Sequence, residues 1–145
     1  MTAIINTMIF KDYINVNELR TIINNTFGNN PSITNVDTTY ALMKLPFINM
    51  LINSAKVDEL KYIPQKFDCD DFTAVLLGKE RKQFRKTITT KPCGSAFGMV
   101  HSTKDGSGHA QCFFIDIDKK IFIIEPQTGI MFEPKQDRLY HFVYI

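Results

Sequence analysis

The chain has 145 residues, 44% of them hydrophobic, and a formal charge of +2 at neutral pH. This length and composition suit one domain with a core of its own. The small charge argues against nucleic acid or an anionic membrane surface as partner, and no apolar stretch is long enough to span a bilayer.

Residues Met1 to Met8 lack the charged start, apolar run and small-residue cleavage site of a secretory signal. Tyr13 to Phe27 predicts a helix with Val16, Leu19, Ile22, Ile23 and Phe27 on its apolar face. Asn15 or Asn17 can cap it, and Gly28 stops it. Asn29-Asn30-Pro31 reads as a turn. Asp37 to Ala55 predicts a second helical region, broken or restarted at Pro46. Tyr62-Ile63-Pro64 is expected to be extended, because a residue before proline avoids the helical region.

A third helix is predicted from Cys69 to Phe84, with Phe72, Val75 and Leu76 facing the core. Asp68 or Asp70 can cap its first turn. Lys79 to Lys91 is rich in Lys and Arg and reads as a solvated helix end followed by a loop, where cations suit the negative end of the helix. After Pro92-Cys93-Gly94 the pattern changes. Short strand-like runs occupy Ser95 to His101, His109 to Asp116, Lys120 to Glu125, Ile130 to Phe132 and Leu139 to Ile145, with turns between them. Helices followed by an antiparallel sheet predict the α+β class. The expected domain covers 1–145, with a helical N-terminal part at 1–61 and a catalytic core at 62–145.

The three cysteines, Cys69, Cys93 and Cys112, have no metal-ligand spacing and form no even set. A reducing, cytoplasmic setting is the expectation. Cys69 lies among Asp68, Asp70 and Asp71 at a helix start, where the dipole favours a thiolate and the carboxylates oppose it. A divalent cation such as calcium on Asp70 and Asp71, with Asp68 a further candidate, would remove that opposition. His109 opens a strand after a glycine-rich loop and could serve as base for the thiol. Glu125, at the end of the next strand, could orient the imidazole, with Gln127 as the alternative. That pairing needs an odd-length loop or a bulge in the connecting hairpin, because a two-residue turn at Asp118-Lys119 puts Glu125 on the wrong face. Gln65 is the nearest candidate for an oxyanion donor beside the Cys69 amide.

Phe67-Asp68-Cys69-Asp70-Asp71-Phe72, Gly108-His109-Ala110 and Ile124-Glu125-Pro126-Gln127-Thr128-Gly129 resemble the papain-like cysteine protease domain at the C-terminus of the Marasmius oreades agglutinin, a fungal lectin, and related phage and bacterial domains. The resemblance runs from about Tyr62 to the C-terminus. It implies a papain-like fold, with the nucleophile helix packed on a C-terminal antiparallel sheet. It also implies Cys69 as nucleophile, His109 as base, Glu125 as third member, and calcium dependence. The function expected is a cysteine peptidase acting on a peptide or protein through a thioester. The alternatives are an amidase or transglutaminase-like acyl transferase, and a non-catalytic viral or mobile-element interaction protein on the same fold. No threefold repeat answers to the fungal lectin's sugar-binding β-trefoil, so the resemblance by itself does not imply lectin activity.

Overall fold

The chain begins with strands β1 (Ile9–Phe10) and β2 (Tyr13–Asn15), and helix α1 (Val16–Phe27) follows at once. Asn15 ends the strand and caps the helix, its side-chain oxygen accepting from the Glu18 amide at 2.9 Å. Tyr13 to Asn15 is therefore strand, where periodicity predicts helix. This computed structural model describes residues 8–145, so the expectation about a signal in the first residues lies outside it for 1–7.

Strands β3 (Ser32–Thr34) and β4 (Thr39–Ala41) lead to helix α2 (Leu45–Ala55). Pro46 sits in the first turn of α2, where its missing N–H costs nothing, so it starts this helix and does not break one. A 3-10 turn at Val57–Glu59 precedes helix α3 (Cys69–Phe84). Strands β5 (Ile88–Thr89), β6 (Gly94–Ser95), β7 (Phe97–Lys104), β8 (Ser107–Ile115), β9 (Ile121–Glu125), β10 (Ile130–Phe132) and β11 (Leu139–Tyr144) complete the chain.

Six strands form the main sheet in the order β10-β9-β8-β7-β11-β3. The class is α+β, with two departures from the predicted arrangement. The sheet is not wholly antiparallel, because β3 adds to β11 in parallel. The first 61 residues are not only helical: β1 pairs with β5, and β2, β4 and β6 form a third small sheet. Strands of two or three residues are too short to show a period, and they gain partners only from distant segments.

Strand β8 is covered on both faces. Phe113 and Ile115 point into a core with Leu19, Ile23 and Phe27 of α1. Cys112 and Phe114 point into a second core with Phe72 and Leu76 of α3. Near its other end α3 is pinned by a polar cluster. Glu80, fully buried, pairs with Arg81 at 2.7 Å. Arg81 also donates to the Ser95 hydroxyl and, at 3.0 Å, to the Phe97 carbonyl. Removing the guanidinium would strand a buried carboxylate. Arg81→Met should therefore cost about 3 kcal/mol by denaturant melting, and Glu80→Met with Arg81→Met together should recover most of it. Equal losses in the single and double variants would show that the pair does not hold the helix.

Candidate functional site

Two polar clusters gather the residues singled out in the sequence. The first is at the start of α3. Ligand atoms of Asp68, Cys69 and Asp70 lie within 4.8 Å of one another. Asp71 turns away from them, and its carboxylate accepts from the Asp68 amide at 3.1 Å, so it serves the helix cap. A hydrogen bond shared with Asp70 holds the Asp68 carboxyl above the ordinary aspartate range, while the same bond holds Asp70 below it. Two carboxylates this close repel each other when both are ionised. A hard divalent cation offsets such repulsion, and it is Asp68 and Asp70, not Asp71, whose oxygens share this group. Gln65 is exposed with a left-handed backbone (φ 58°), in the loop before the cap. His101, at the end of a strand-like run in the sequence, contributes to the lowering of Asp70 through its charge. Only the pairing of β7 with its neighbours brings it into range.

The second cluster lies on β8 and β9. The hairpin between them has a three-residue loop, Ile117 to Lys119, closed by the Asp116 amide donating to the Lys120 carbonyl at 2.9 Å. The Asp116 side chain accepts from the Asp118 and Lys120 amides, and Lys119 takes a left-handed φ of 62°. This odd loop pairs Cys112 with Ile124, which places Gln111 opposite Glu125. His109 Nε2 meets Glu125 Oε2 at 2.6 Å, and Gln111 Nε2 donates to the same oxygen at 3.0 Å. The Gln127 backbone amide, not its side chain, donates to the other oxygen at 3.3 Å. Gln111 was not singled out in the sequence, although its place two residues after His109 put it on the same face.

Among the described residues the only hydrogen bond found for the His109 ring is to Glu125, and none joins it to Cys69. Along β8, Cys112 faces α3, where its thiol donates to the Thr73 carbonyl at 3.5 Å. The alternation of the strand directs His109 and Gln111 to the other face. Burial pushes the Cys112 thiol far up and makes it inert, and burial likewise raises Cys93.

Burial by itself raises the Glu125 carboxyl. Hydrogen bonds from His109 and Gln111 outweigh it and leave the group below the ordinary glutamate range. A carboxyl depressed on folding stabilises the protein above its unfolded pKa, and that contribution is lost as pH falls through the depressed value. Glu125→Gln should therefore flatten the acid limb of a curve of melting temperature against pH, from the ordinary glutamate range downward. An unchanged limb would mean that the His109 pair contributes nothing to stability.

Residues 40–131 match the protein family described as Agglutinin C-terminal. No curated protein sequence matches the chain significantly. Among solved structures, a complex of PSL1a with E64 superposes with a TM-score of 0.83 at 17% identity, over 92% of this chain and 51% of that one. A Polyporus squamosus lectin bound to the human-type influenza-binding epitope Neu5Aca2-6Galb1-4GlcNAc gives 0.81 at 17% identity, over 92% and 50%. The chain thus spans about half the length of these relatives. These findings correct the expectation of a cysteine hydrolase with a catalytic triad, and with it the expected peptide substrate. The matching family is described as an agglutinin's, and one of the two neighbours is named as a lectin bound to a glycan epitope. Among the described residues no helix is long and apolar enough to cross a membrane. With more than half of its length matched, this chain belongs to the agglutinin C-terminal family.

Proposed function

We propose that the chain is a glycan-binding module, and that its sugar seat is the polar cavity between the end of α2 and the β9–β10 turn. The cavity is the observation that carries this reading. It encloses about 320 Å³ and is walled by Asn53, Lys56, Asp58, Glu59 and Thr128, with Leu76 and Pro126 as an apolar floor. Donors and acceptors of both charges around a small apolar surface suit a polyhydroxylated ring. Membership in an agglutinin family, and the sialylated ligand of the Polyporus lectin, support the choice of ligand class. No β-trefoil repeat is required.

A single domain and a papain-like arrangement, in which the helix starting at Cys69 packs on the sheet carrying His109, belong to the same proposal. They describe the scaffold, not the chemistry. The contact of Phe72 and Leu76 with Cys112 and Phe114 supports that arrangement.

Titration with Neu5Acα2-6Galβ1-4GlcNAc and with neutral lactosamine tests the seat by calorimetry. Binding of either sugar, weakened at least about tenfold by Asn53→Ala with Asp58→Ala, is expected for a seat whose polar groups go unpaired in the variant. No binding of either sugar at millimolar concentration, or modification of Cys69 by E64 together with turnover of a peptide, would overturn the reading.

Calcium is the cation this reading assigns to Asp68 and Asp70, with water completing its oxygen shell. Calorimetry with calcium should give binding that Asp68→Asn with Asp70→Asn abolishes and Asp71→Asn weakens only through the cap. Heat of binding that survives the double variant would place the cation elsewhere.

A further inference from the structure

The formal charge of +2 conceals a strong segregation. Lys79 to Lys91 holds six cations and one carboxylate, a net +5, which leaves −3 for the rest of the chain. The one carboxylate is Glu80, fully buried and paired with Arg81. No other acidic residue occurs between Asp71 and Asp105. Lys79, Lys82, Arg85, Lys86 and Lys91 are all exposed, and among the described residues none of the five forms an ion pair.

We infer that this basic end of α3 is a docking face for a sulfated polysaccharide. Lys79 and Lys82 lie one turn apart on α3, and the run to Lys86 covers about 10 Å along the helix direction. A flexible chain bearing a sulfate every few ångströms can meet such a row without a fixed register. Four of the five cations are lysines, point charges on flexible stems; the planar forks of arginine that favour phosphate recognition are nearly absent. Base stacking has no platform here. The nearby Tyr13 ring is covered by Lys91 Nζ at 4.4 Å, and its hydroxyl is bonded to the Phe10 carbonyl and to Thr90. Ile9 and Ile88, paired across β1 and β5, are exposed close to Arg85 and Lys86 in the chain, which makes an anionic lipid surface the competitor to be tested.

The test uses the whole chain and a heparin-derived hexasaccharide, followed by calorimetry at 50 and 200 mM salt. Binding should weaken about tenfold or more between the two, as expected when several cations release counterions. Lys82→Gln with Arg85→Gln and Lys86→Gln should weaken binding at low salt at least tenfold while leaving the melting temperature unchanged, because Arg81 is untouched. Asn53→Ala with Asp58→Ala should bind the hexasaccharide as the unaltered protein does, which separates this face from the proposed sugar seat. Absence of binding at 50 mM salt, undiminished binding by the triple variant, or tighter binding to phosphatidylserine vesicles or to oligothymidylate would each overturn the inference.

Discussion

Burial of β8 on both faces is the constraint from which the rest of the structure follows. From Ala110 to Ile115 every side chain of the strand is buried, whichever way it points. One face requires α1 and the other requires α3, so the two helices are held on opposite sides of one sheet. A shift of one residue in the β8–β9 pairing would reverse every side chain on β9, taking Ile121 and Ile123 from the core with α1 and Ile124 from the core with α3. The three-residue loop closed by Asp116 prevents that slip. The same register sets Gln111 opposite Glu125, so the polar cluster inherits its geometry from apolar packing.

Helix α3 carries charge of opposite sign at its two ends, and the fold uses each end differently. Its first turn holds Asp68, Asp70 and Asp71 near the positive end of the macrodipole, and its last turn and the residues beyond hold Lys82, Arg85 and Lys86 near the negative end. Each set is favoured where it stands. At the first turn the carboxylates also oppose one another: Asp70 raises the Asp68 carboxyl above the ordinary aspartate range. At the far end, burial of Glu80 removes the one acidic side chain that could have balanced the cations. A modest net charge on the whole chain is therefore consistent with a strongly basic local surface.

The peptidase expectation rested on residue types in the right order, and order is compatible with more than one chemistry. Cys69 and His109 are both present, but among the described residues the His109 ring bonds to Glu125 alone, and Cys69 belongs to the aspartate group. The match to the Agglutinin C-terminal family corrects the hydrolase expectation, and the glycan-binding reading is the proposal made above.

The sequence by itself determined the elements whose periodicity is long enough to read. Helix α3 begins at Cys69 and ends at Phe84 as its apolar spacing predicts, and the strands from Phe97 onward fall close to their apolar runs. It also set the condition under which His109 and Glu125 could meet, because side chains alternate along a strand and only an odd loop or a bulge keeps the two on one face. Tertiary structure decided what local pattern cannot encode. It chose the odd loop, through two backbone amides bonded to the Asp116 side chain. It drew β1 to β4 into sheets with partners far along the chain, and it gave Asp71 to the cap while leaving Asp68 with Asp70. The strand pairings depend on segments that meet only after the chain has folded, whereas the loop and the cap are local bonds that the residue types permitted without selecting.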